Sequence, residues 1–138
     1  MKKAIKAVFV VIALIILDQV SKLLFTGKIY MLGSIGVQYA ENRGAAFGIM
    51  QGFGWLFIAL SVIVLIGVAY FYAREKNKLI KAAFTLILAG TFGNLIDRIF
   101  YGYVRDFIAV WIWPNFNLAD SFNVVGAALI VYALVKGK

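Results

Sequence analysis

Residues 53–73 read FGWLFIALSVIVLIGVAYFYA, and no charge interrupts them. At about 1.5 Å of rise per residue, a helix over this stretch crosses a hydrocarbon core about 30 Å thick. Working outward, Ala7–Leu17 is an apolar run behind Lys2, Lys3 and Lys6, which by itself resembles a secretory leader. Asp18 and Gln19 follow it in place of a small-residue cleavage site, and Val20, Leu23, Leu24 and Phe25 resume the apolar character. Lys6–Phe25 therefore reads as a retained spanning helix with a polar outer end. Ala82–Ile96 is a third apolar stretch, closed by Asp97 and Arg98, and Ser121–Val135 is a fourth. These last two are short for a span. They reach across only if their polar ends, Asn94–Arg98 and Asn117–Asp120, lie within or near the membrane. The expectation is an all-α membrane protein, one domain over residues 1–138, with transmembrane helices at about 6–25, 53–73, 80–98 and 119–136.

Composition points the same way. Of the residues, 64% are hydrophobic and 14% charged, against about half and about a quarter in an average soluble domain. Mean hydropathy is +0.93. Histidine and cysteine are both absent. That excludes a Ser-His-Asp triad, a Cys-His pair, a zinc site of the usual ligands and any disulfide. Acid–base work is left to carboxylates, basic side chains and tyrosines, and neither a metal nor another cofactor is expected. A net charge of +8 in a soluble chain would suggest nucleic acid. Here it is explained by topology, and no nucleic-acid partner is expected. Nine Lys and Arg residues fall at the amino end, between the second and third helices, and at the carboxyl end, while Lys28, Arg43, Arg98 and Arg105 lie on the other side. By the positive-inside rule both termini are cytoplasmic. Of the acidic residues only Glu75 is then inside, and Asp18, Glu41, Asp97, Asp106 and Asp120 gather at the outer face.

The outer loops carry pattern of their own. Gly36–Ala40 alternates weakly, and Tyr103–Trp113 alternates with Val104, Asp106, Ile108, Val110 and Ile112 on one face if extended. A small β-containing cradle built from the first and third loops is expected. Trp55, Trp111 and Trp113 stand where an interfacial aromatic belt would lie.

Polar side chains at membrane depth are expensive, so each needs a partner or a function. Asp18 and Lys22 share a helical face and can pair, either to anchor the first helix or to serve a site. Ser21 beside Lys22 points about 100° away and makes a poor Ser-Lys pair. Asn94, Asp97 and Arg98 share a face of the third helix. Asp97 and Arg98 could neutralise each other or other charges, and Asn94 is free to reach into a site. Asp106 and Asp120 are the outer carboxylates left over after those pairings. Two unpaired carboxylates beside an apolar layer suggest a shared proton, one ionised as general base on water and the other protonated and polarising a carbonyl. The bland alternatives are an N-cap role for Asp120 and an Arg105 or Arg43 partner for Asp106. If the chain breaks near Pro114, Asp120 stands at the start of the fourth helix. Asn42-Arg43-Gly44 fits a turn as well as it fits a site.

Taken in order, Asp18-Gln19-x-x-Lys22, Asn42-x-Gly44-Ala45-Ala46-Phe47, Gly93-Asn94-x-x-Asp97-Arg98, Val104-x-Asp106-Phe107 and Phe116-Asn117-x-Ala119-Asp120 resemble the bacterial lipoprotein signal peptidase (signal peptidase II) family. The resemblance runs from about Asp18 to Gly126. One departure is Ala89-Gly90, where the family often has two glycines. The resemblance implies a membrane-embedded aspartic endopeptidase of the bacterial inner membrane, working near the outer face. Asp106 and Asp120 would be its catalytic dyad. Asn42, Asn94, Arg98 and Asn117 would line the site, with Asp18, Lys22 and Gly44 in support. The implied substrate is a prolipoprotein whose cysteine already bears a diacylglyceryl group, cut just before that cysteine and presented from membrane lipid. A small proton-coupled four-helix transporter subunit is the competing reading, and a membrane subunit without chemistry is a third. A transporter calls for a carboxylate at mid-helix, which the sequence lacks, and a purely structural subunit leaves the five outer acids unexplained.

Overall fold

The computed structural model describes residues 2–44 and 53–137. Ala45, Ala46 and Phe47 of the motif that begins at Asn42 lie outside the described residues. In chain order the elements are α1 (Lys2–Phe25), β1 (Ile29–Leu32), β2 (Ile35–Asn42), α2 (Gly54–Arg74), α3 (Lys78–Tyr101), β3 (Val104–Val110), β4 (Trp113–Phe116) and α4 (Leu118–Lys136). All four helices are long and apolar enough to cross a bilayer.

Packing is inverted relative to a soluble protein. The largest fully buried side chains are Lys22, Val104, Asn117, Asp18, Asp97 and Asp106, and only Val104 among them is apolar. Ile63, Ile66, Val131 and Leu134 are each at least 60% exposed. Hydrocarbon satisfies apolar surface for nothing, so the interior is left to small residues that permit close approach and to polar groups that need partners. α3 is the central helix and buries Ala83, Ala89, Gly90, Gly93 and Asn94 against its neighbours. At Gly93 a Cβ would sit 2.6 Å from Asp18 Oδ2 and 3.2 Å from the Ala119 Cβ, so only glycine lets α1 and α4 close on α3 there.

Local chemistry sets the ends of the elements. The Asn77 side chain accepts from the Leu79 and Ile80 N–H groups and starts α3, while Gly102, at φ 76°, ends it in a left-handed turn. The strands form one antiparallel sheet in the order β1-β2-β3-β4, outside the helices. Ala40 stands opposite Asp106 and Asn42 opposite Val104, next to an irregularity between Val37 and Ala40. Phe25, the last residue of α1, stacks on Phe107 with ring centroids 5.0 Å apart and holds β3 against the helices.

The sheet is larger than the sequence patterns suggested. β2 extends beyond Gly36–Ala40, and β1 and β4 carry too little alternation to be read. The alternating run from Tyr103 does not continue to Trp113. It turns at Trp111, whose φ is 51° and whose N–H donates to the Ser34 carbonyl at 2.6 Å, so Ile112 leaves the face of β3. Pro114 does not mark the start of the last helix. It lies in the edge strand β4, where a missing N–H is tolerated, and α4 begins at Leu118 with Asn117, not Asp120, as its cap.

Candidate active site

β3 brings Arg105 and Asp106 against the helices with both side chains buried, at 3% and 2% exposure. Neighbouring strand residues point to opposite faces, and these two part company accordingly. Arg105 turns toward α3, where its backbone N–H donates to Asp97 Oδ2 at 2.9 Å, its Nε to the same oxygen at 3.2 Å and its Nη2 to Asp97 Oδ1 at 2.8 Å. Its Nη2 also donates to Gln19 Oε1 at 2.8 Å. Asp106 meets amides instead. Asn42 Nδ2 donates to its Oδ2 at 3.0 Å and Asn117 Nδ2 to its Oδ1 at 2.7 Å. The Asn42 amide is itself held by Gly44, whose N–H donates to Asn42 Oδ1 at 3.1 Å. The turn role and the site role of Asn42-Arg43-Gly44 are therefore one arrangement.

Asp120 comes to the same place from α4. Asn117 and Asp120 form a capping box: the Asp120 N–H donates to Asn117 Oδ1 at 2.9 Å, and the Asn117 N–H donates to Asp120 Oδ2 at 3.2 Å. Asn94 Nδ2 donates to Asp120 Oδ1 at 2.7 Å. Asn117 thus touches both carboxylates.

Behind this layer lies a closed ionic cluster. Lys22 Nζ is 2.9 Å from Asp18 Oδ2 and 3.4 Å from Asp97 Oδ2, and all three side chains are fully buried. Asp18 also accepts the Ala119 N–H at 2.9 Å, tying α1 to the first turn of α4. Gln19 Nε2 donates to the Gly93 carbonyl at 3.0 Å and to Asp97 Oδ1 at 3.2 Å. Two positive and two negative charges cancel within the cluster, which is what makes its burial tolerable.

One expected pairing requires correction, and one alternative falls away. Asp97 does not neutralise Arg98. Consecutive residues on a helix diverge, and Asp97 is claimed by Arg105 and Lys22. Arg98 instead lies over the Phe57 ring, 5.2 Å from its centroid, with its charge felt by Asp120 and Asp106. Nor does Asp106 pair with Arg105 or Arg43, since Arg43 bonds Glu41 at 3.0 Å. The sequence reading gave Gln19 and Arg105 no place in the site. Arg105 could have been found from strand periodicity, which turns it away from Asp106 and toward the nearest other acid.

Asp106 stands outside the helical spans. Burial pushes its carboxyl up, and the neighbouring charge of Asp120 pushes it further, to about 7, against the opposing hydrogen bonds from Asn42 and Asn117. One carboxyl protonated near neutrality beside a second carboxylate suits general acid–base catalysis on water. A cavity of about 480 Å³ opens beside Asp120, lined by Trp113, Phe116, Ser121, Val124 and Val125. Among the described residues no group of three or more acidic side chains is placed to hold a metal ion.

Comparison with known proteins bears on this arrangement. Residues 10–136 match the family model described as signal peptidase (SPase) II. A lipoprotein signal peptidase of Halothermothrix orenii is 44% identical over 91% of this chain and 92% of its own length. That of Syntrophomonas wolfei is 41% identical over 90% of this chain and 89% of its own. A solved bacterial membrane enzyme superimposes with a TM-score of 0.87 at 33% identity, covering 95% of this chain and 88% of the other.

Proposed function

The chain belongs to the signal peptidase II family, and on that premise we propose how its residues act and on what. It is a multi-pass membrane protein and an aspartic-type signal peptidase that removes signal peptides from prolipoproteins. No observation favours a transporter.

In the proposed mechanism Asp106 and Asp120 are the catalytic dyad, carrying one proton between them at rest. Asp120 is the ionised member, since it accepts from a backbone N–H and stands in the first turn of α4, where the helix dipole favours negative charge. It takes a proton from water as that water attacks the scissile carbonyl carbon. Asp106, protonated, donates to the carbonyl oxygen as negative charge develops there. The tetrahedral intermediate collapses when the proton held by Asp120 passes to the departing amide nitrogen and the C–N bond breaks. The two titrations are coupled, so this names the dominant microstate. Asn42, Asn94 and Asn117 hold the carboxylates, and Arg98 tempers their combined charge. The single observation that carries the assignment is Asn117, which hydrogen-bonds both carboxylates.

The substrate form proposed is a prolipoprotein whose cysteine carries a diacylglyceryl group. The cavity beside Asp120 supports this, because it is walled by apolar side chains that continue the lipid-facing surface of α4, where Val124 is 68% exposed. Acyl chains can enter there from the bilayer while the peptide bond stays at the dyad. The distribution of Lys and Arg supports cytoplasmic termini, a site at the outer face and residence in the bacterial inner membrane. The test is cleavage by the purified protein in detergent of one prolipoprotein, with and without its diacylglyceryl group. Cleavage before the lipidated cysteine only is expected, and equal cleavage of both forms would rule out the lipid requirement.

A further inference from the structure

Lys22 Nζ forms ion pairs with Asp18 Oδ2 and Asp97 Oδ2 and donates a hydrogen bond to the amide oxygen of Asn94 at 3.0 Å. An ammonium group cannot accept a hydrogen bond, so it dictates which way the Asn94 amide faces. With Oδ1 toward Lys22, that oxygen also accepts from Asn117 Nδ2 at 3.1 Å, and Asn94 Nδ2 is left to donate to Asp120 Oδ1 at 2.7 Å. Asn117 is fixed in the same sense. Its Oδ1 is occupied by the Asp120 N–H, so its two Nδ2 protons go to Asn94 Oδ1 and Asp106 Oδ1. Every donor and acceptor from Lys22 to the two carboxylates is thereby assigned in one direction. Were the Asn94 amide reversed, Asp120 would face a carbonyl oxygen and Asn117 Nδ2 would face another N–H.

We propose that Lys22 is a positioning residue for the reaction: without touching substrate, it sets the polarity of the Asn94–Asn117 amide chain and so presents only donors to Asp106 and Asp120. The proposal rests on the reading of those two residues as the dyad. It gives the buried ionic cluster a task beyond holding α1 against α3, since an apolar contact would hold the helices equally well but would put no cation against the Asn94 amide oxygen.

The test uses Lys22→Met, together with Asp18→Asn/Lys22→Met. The double variant removes one charge of each sign and leaves Asp97 paired with Arg105, so the buried cluster stays neutral and the fold is retained. With a diacylglyceryl prolipoprotein in detergent, kcat is expected to fall on the order of tenfold to a hundredfold, as for other misplaced catalytic groups, with KM within about twofold. In an Asn94→Ala background the same change is expected to cost less than about twofold more, because its route to Asp120 is already cut. The alkaline limb of the pH profile is expected to move upward. Asp106 is faced by Asp120 of α4, Lys22 of α1, Arg98 of α3 and the neutral Asn42 of β2, and the loss of Lys22 removes a charge that favours its ionised form. A double variant that melts like the parent and cleaves at the parent rate overturns the proposal. So do losses that add fully to that of Asn94→Ala, or a rise in KM with kcat intact. Asp106→Asn and Asp120→Asn are assayed alongside. If either turns over substrate the dyad reading fails. If both are inactive while the Lys22 variants are normal, only the positioning role is lost.

Discussion

Asp106 and Asp120 are the same side chain in two settings. Asp106 reaches the site from a strand, accepts only from asparagine amides and is 2% exposed. Asp120 sits in the first turn of a helix and accepts from a backbone N–H as well as from Asn94. Replacement of either by Asn removes the proton exchange while keeping the shape. Each variant is expected to lose on the order of a thousandfold or more in turnover while remaining folded in the membrane, measured as product formed from a prolipoprotein alongside a melting curve. Substantial turnover by one variant would remove that residue from the dyad. The elevated carboxyl of Asp106 also sets the sign of the pH response. In the proposed mechanism its neutral form is the donor, and that form predominates below about 7. Raising the pH through that value removes the proton, leaves two ionised carboxylates and lowers kcat/KM. Asn42→Ala deletes a hydrogen bond that favours the ionised form, so its alkaline limb should lie at higher pH than the parent's. A limb unmoved or shifted downward would mean that Asp106 does not govern it.

At the scale of elements, α3 carries most of the arrangement, with Gly93 as the point where three helices converge. A methyl group there would meet Asp18 Oδ2 at 2.6 Å. Gly93→Ala is expected to cost about 1–3 kcal/mol through overpacking, even though alanine favours a helix, and thermal unfolding in detergent measures it. The spans were legible because hydrophobic runs report directly on solvent, and α2 needs no other evidence. The polar ends of α3 and α4 drew notice for a different reason: their apolar runs were short for a span unless Asn94–Arg98 and Asn117–Asp120 lay within or near the membrane. The sheet was only half legible. β2 and β3 alternate, whereas β1 is exposed along its whole length and offers no contrast between faces. Pairings were hardest, since they depend on which elements meet. Asp97 beside Arg98 in sequence suggested a pair, yet its partner Arg105 comes from a strand that folds back across it.

At the scale of the whole molecule, the inside-out packing and the loop charges combine into topology. A reporter fused after Lys138 or inserted at Asn77 should give a cytoplasmic signal, and one inserted near Tyr30 an outer one. The reverse pattern would put the dyad on the wrong side for exported substrates. Activity should also survive chelation. Prolonged dialysis against EDTA is expected to leave the cleavage rate unchanged, and a loss restored by zinc or magnesium would contradict a dyad acting on water alone. The Asp18–Lys22 pair also bears on the order of events during synthesis. Asn94 follows Lys22 by 72 residues, so the first helix enters the bilayer long before its later partners leave the ribosome. One turn apart on the same face, the aspartate and the lysine neutralise each other from the outset. The nascent helix thus carries its own counter-ion through the interval, and a charge pair that later orients the site first serves as a passport into lipid.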